Sequence, residues 1–152
     1  MAWLVAAAAL LTAGHRCVAG EVSAGVLTSG DKAYLIVVGE HPRDDSKNGV
    51  TMMYDFAEQT WQEASSRPEI GNHHASEVID NEMYLFGGLS NGGGDIQIGT
   101  LVDTGAGVDI SWRKAAGLPF DGGSASTALI GGKVSLGAFR ESGGPFDTCR
   151  AA

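Results

Sequence analysis

The stretch Asn72-His-His-Ala-Ser-Glu-Val-Ile-Asp-Asn-Glu-Met-Tyr-Leu-Phe-Gly-Gly88 writes out a complete β-hairpin. Two short apolar or alternating runs flank Asp80-Asn81, residues that tolerate the left-handed backbone of a tight turn. Gly87-Gly88 then breaks the second run. The same order returns on both sides of it. Asp31-Lys-Ala-Tyr34-Leu-Ile lines up with Asn81-Glu-Met-Tyr84-Leu-Phe and with Gly131-Gly-Lys-Val134-Ser-Leu, 50 residues apart each time (84−34, 134−84). Trp61 and Trp112 are 51 apart, as are Pro68 and Pro119. Asp55 and Asp103 precede these Trp residues by 6 and 9 positions, across a variable loop. Four kinds of landmark in one order at one period define an internal repeat.

Beyond residue 20 no segment keeps a 3.6-residue apolar period for three turns, so the chain reads as all-β. Strands are expected at Val22–Thr28, Lys32–Gly39, Val50–Phe56, Trp61–Ala64, His74–Ile79, Glu82–Gly88, Ile98–Asp103, Ser111–Ala115, Ser124–Ile130 and Lys133–Phe139. The repeats then span 21–70, 71–120 and, as a partial unit, 121–140. Residues 141–152 read as an unstructured tail.

The segment Asn72–Gly88, followed by Thr100–Pro119, resembles the kelch-repeat β-propeller family. The match is to a first strand, a turn, a second strand ending Gly-Gly, and then a Trp strand. The resemblance covers about Val22 to Phe139. It departs at Val37-Val38-Gly39 and at Gly137-Ala138, where a double Gly is expected, and at Val134, which stands for the Tyr. It implies four-stranded blades stacked round a channel. Trp61 and Trp112 would fill the wedge between blades toward the rim, with Tyr34 and Tyr84 in the same layers. Gly87 and Gly88 would let the strand turn near the crowded axis. About two and a half units is fewer than the four to eight of a closed propeller. The sequence therefore reads as a partial set, needing further blades or other copies to close.

Composition narrows the partners. The chain has 152 residues, 10 Lys+Arg against 18 Asp+Glu, a formal charge of −8, and 23 Gly. A helical bundle does not fit so glycine-rich a chain. The acidic balance, with no basic cluster, argues against nucleic acid or an anionic membrane surface. Ala2–Ala13 is an apolar run too short to span a bilayer. With the small residues ending Val18-Ala19-Gly20, it reads as a signal peptide over 1–20 and a secreted protein. Cleavage would remove Cys17 and leave Cys149 without an internal partner.

The propeller reading would bring Asn72, His73 and His74 to the same face as the loops 41–45 and 91–95. His41, Asn72, His73, His74 and Asp95 are thus the candidate ligand-binding residues. The expected function is a non-catalytic extracellular binding module for a protein or carbohydrate, with no cofactor. Two other readings stand beside it. Some secreted kelch proteins similar to galactose oxidase carry a comparable His-His at a strand start, which implies a copper oxidase or a sugar epimerase. Asp103-Thr104-Gly105 after an apolar run also resembles the catalytic loop of retropepsin-type aspartic proteases, with Asp103 as the catalytic carboxylate. No nucleophile elbow, phosphate loop, dinucleotide fingerprint or paired C-x-x-C is present.

Overall fold

The computed structural model describes residues 22–39, 50–69, 71–88, 94–118, 122–123 and 125–137. The expected signal peptide, His41, Cys149 and the tail lie outside the described residues. Those described form ten strands and no helix: β1 (Ser23–Ser29), β2 (Lys32–Val38), β3 (Thr51–Asp55), β4 (Thr60–Ala64), β5 (Ala75–Ile79), β6 (Glu82–Phe86), β7 (Ile96–Asp103), β8 (Val108–Lys114), β9 (Ser126–Ile130) and β10 (Lys133–Gly137). They make three antiparallel sheets, β1-β2-β3-β4, β5-β6-β7-β8 and β9-β10. In each, spatial order follows chain order, because every strand is joined to the next by a hairpin turn or a loop. The innermost strands lie side by side, β1 against β5 and β5 against β9.

The turns follow from residue chemistry. Asp80 and Asn81 both take positive φ (49° and 64°), the geometry whose twist matches that of the flanking strands. Asp55 closes the β3–β4 hairpin by accepting the Ala57 and Glu58 amides at 2.7 and 3.0 Å. Asp103 does the same in the β7–β8 hairpin, where its Oδ1 accepts the Gly105 amide at 2.7 Å. The repeated Asp is a hairpin cap in both units.

Side chains alternate across each strand, giving every sheet a forward face toward the next sheet and a rear face toward the previous one. Leu27, Tyr34, Ile36, Val38 and Met53 on the forward face of the first sheet pack against Met83, Leu85, Ile110 and Trp112 on the rear face of the second. Each fully buried aliphatic side chain is worth about 1.5–3 kcal/mol relative to an exposed one. Ala75 and Phe86 on the forward face of the second sheet meet Leu136 of the third, with Tyr84 and Leu118 beside them. Tyr34 and Trp112 thus share one layer and Tyr84 lies in the next.

Two glycines make room for these side chains, Gly25 between the sheets and Gly99 under its own sheet's Trp112. A Cβ on Gly25 would stand 2.7 Å from Val78 Cγ2, and one on Gly99 would stand 2.7 Å from the Trp112 ring. Polar clasps tie the first two sheets together. The Asn81 amide grips the main chain of Thr28, Nδ2 to its carbonyl and Oδ1 from its amide, both at 2.8 Å. Trp112 Nε1 donates to the Ser65 carbonyl at 3.1 Å.

The third repeat differs from the sequence alignment by one residue. Lys32, Glu82 and Lys133 open β2, β6 and β10 and pair with Ser29, Ile79 and Ile130. The offsets are therefore 50 (82−32) and 51 (133−82), and the residue matching Tyr84 is Ser135, not Val134. A one-residue slip exchanges the two faces of a strand, which is why Val134 faces the second sheet beside Leu136.

Candidate functional site

The segment before β5 gathers the polar groups of interest at the end of the molecule where the inner strands begin. Its core is Arg67, almost wholly buried at 5% exposure. Its NH2 group donates to the Gly71 carbonyl at 2.9 Å, and NH1 lies 3.0 Å from His74 Nε2. A guanidinium can only donate, so Nε2 is the acceptor and the imidazole proton sits on Nδ1. That Nδ1 is buried and has no hydrogen-bond partner among the described residues. Burial, then the Arg67 charge, then His73 hold His74 down to about 3, so the ring is neutral at physiological pH. Burial also pushes Arg67 down to about 10, which leaves it charged.

The backbone around the pair is constrained. His73 has φ 59°, a left-handed conformation uncommon for a residue with a side chain. Its Nδ1 lies 2.7 Å from Asn72 Oδ1. The left-handed residue keeps His73 out of the strand, so β5 begins at Ala75 rather than at His74. Strand alternation therefore does not decide where the two rings point. The His74 carbonyl accepts from Ser23 Oγ at 2.8 Å, which fixes the segment to β1. Gly88 closes over it with φ 133°, and a Cβ there would lie 2.9 Å from the His74 ring and 3.1 Å from the Asn72 carbonyl.

The candidates named from sequence are brought together in part. Asn72, His73, His74 and Gly88 are contiguous in space. Gly87 reaches Asp95 through the main chain, its amide 2.9 Å from the Asp95 carbonyl. The Asp95 carboxylate points elsewhere and pairs with Lys114 at 3.0 Å. Lys114 also pairs with Glu69, and Glu69 first, then Asp95, hold its ammonium above its ordinary value. Asp95 therefore neighbours the histidines without joining them. Trp112 lies between the first two sheets, whereas Trp61 stands on the rear face of the first. Asp103 is exposed at its hairpin tip.

Arg67 was not among the sequence candidates, although the repeat marks it. Stepping 51 residues along, Arg67 becomes Leu118 and His74 becomes Ala125. Both of those are apolar and pack beside Ala75, Phe86 and Leu136. One repeat thus carries a buried cation and an imidazole where the next carries a leucine and an alanine.

Among the described residues no group of three or more His, Cys, Asp or Glu side chains could hold a metal ion. His74 Nε2 is taken up by the Arg67 guanidinium, 3.0 Å away. No helix among them is long and apolar enough to cross a membrane. No family model matches the chain, and no curated protein matches it either.

Proposed function

We propose that this chain is a kelch-type β-propeller segment acting as a non-catalytic, extracellular binding module. Its ligand is a carbohydrate or a protein, received where the inner strands begin, at Asn72, His73 and His74, which the buried Arg67 holds in place. The observation that carries this reading is the exchange of Leu118 and Ala125 for Arg67 and His74 between repeats. The sheet stacks with the apolar pair in one place, so stacking does not require the polar pair in the other. Burying a charge costs several kcal/mol before its hydrogen bonds are counted. Left-handed His73 adds about 1–3 kcal/mol of strain, a cost that concentrates at functional sites. Chain-order sheets with adjacent inner strands support the propeller, and the apolar run Ala2–Ala13 supports export.

The test is a glycan array and a secreted-protein panel probed with the full chain and with Arg67→Leu/His74→Ala. The double variant copies the repeat-mate and should keep its urea midpoint while its ligand signal falls about tenfold or more, roughly 1.4 kcal/mol. Binding unchanged in a folded double variant, or no ligand for the parent chain, would overturn the reading.

A further inference from the structure

Two chain segments form the candidate site, and one ammonium bridges them from outside it. We propose that Lys114 is a positioning residue of that site, acting through Glu69 and Asp95. It holds the connector that carries Asn72, His73 and His74 against the end of β6 that closes over them. This rests on the binding function proposed above.

The contacts run in a closed circuit. Gly88 lies against the His74 ring and the Asn72 carbonyl, where a Cβ would stand 2.9 and 3.1 Å away. Its neighbour Gly87 donates its amide to the Asp95 carbonyl at 2.9 Å. The Asp95 carboxylate pairs with Lys114 at 3.0 Å, and Lys114 pairs in turn with Glu69. Glu69 belongs to the connector, two residues after Arg67, whose guanidinium returns to the Gly71 carbonyl and to His74.

Glu69 is docked on the second sheet at two points. Gln97 and Lys114 are cross-strand partners on β7 and β8. Gln97, itself 1% exposed, accepts the Glu69 amide on Oε1 at 3.1 Å, and Lys114 takes the carboxylate. One point alone would let the connector pivot, whereas two fix its direction. Segments held together before a ligand arrives cost less to order when it binds.

The ammonium also keeps two like charges apart. The Glu69 and Asp95 carboxylates both touch it, so without it they would face each other within a Debye length, about 8 Å at physiological salt. Removing Lys114 therefore turns an attraction between the two segments into a repulsion. Its side chain is 44% exposed, so the pairs are worth what surface ion pairs are worth. That is enough to tune a site and too little to hold the fold.

Hydrogen exchange read by NMR on the full chain, with the glycan array and secreted-protein panel beside it, tests this. Lys114→Met keeps the aliphatic stem. It should speed exchange of the Glu69 and Gly87 amides, taken relative to β2 amides, about two- to fivefold, and the array signal should fall by a like factor. Lys114→Arg should restore both. Added sodium chloride should speed these amides in the parent chain and slow them in Lys114→Met, because it screens an attraction in one and a repulsion in the other. Amides indifferent to Lys114→Met, a loss that Lys114→Arg does not restore, or a salt effect of one sign in both chains would overturn the proposal. Faster exchange with an unchanged array signal would overturn it too. A signal lost in Arg67→Leu/His74→Ala but kept in Lys114→Met would overturn this proposal alone, whereas no ligand for the parent chain would end the binding function and this proposal with it.

Discussion

A neutral histidine beside a buried guanidinium leaves a signature in the acid response. His74 in the folded protein takes a proton only near pH 3, while the unfolded chain takes one near its ordinary 6.5. Between those values the unfolded state binds more protons, so acid favours it. The contribution of His74 is complete above about pH 6.5 and declines by about 1.4 kcal/mol for each pH unit below it. Urea midpoints should therefore fall between about pH 7.5 and 5.5, above the range where carboxylates titrate. His74→Asn should flatten that decline, and an unchanged slope in the variant would place its origin elsewhere. The histidine was legible in the sequence because two adjacent imidazoles precede a strand. Its partner was not, because a single Arg in a loop looks like solvated surface until Leu118 is set against it.

At the scale of the element, repeat-mates need not do the same work. Trp112 and Trp61 are equal landmarks in the sequence. Trp112 packs between two sheets and donates Nε1 to the Ser65 carbonyl. Trp61 Nε1 is enclosed beside Tyr54 and has no acceptor among the described residues. Removing a satisfied donor loses about 0.5–1.5 kcal/mol, while removing a buried unsatisfied one costs nothing on that account. Trp112→Phe should therefore lower the urea midpoint, and Trp61→Phe should leave it unchanged or raise it. Equal losses would refute the assignment. The strands were legible because alternation and turn residues bound them: β1, expected at Val22–Thr28, lies at Ser23–Ser29. Alternation and turn residues failed at Gly131-Gly132. Either glycine can take a turn position, so nothing there marks the register, and Val134 was matched to Tyr84 one residue out of step. His41 falls between β2 and β3, outside the described residues.

Across the whole molecule, cohesion is uneven, and the unevenness follows from which side chains the repeats supply. The first two sheets share one core of nine buried residues, among them Ile36, Met53, Met83 and Leu85. The third is joined to the second through Ala75, Phe86 and Leu136, with Thr127 Oγ1 donating to the Ser76 carbonyl at 2.9 Å. Its Leu129 and Ile130 remain 46% and 65% exposed. A stack whose members touch only their neighbours opens at its weakest contact first. Native-state hydrogen exchange should then show β9 and β10 amides exchanging through a local opening, well before β2 and β6 exchange by global unfolding. Leu136→Ala should speed exchange in β9 and β10 alone. Ile36→Ala should cost about 2–5 kcal/mol and speed β2, β3, β6 and β7 together, because its cavity lies in the shared core. Slow, uniform exchange across all three sheets would mean that something else holds the third sheet.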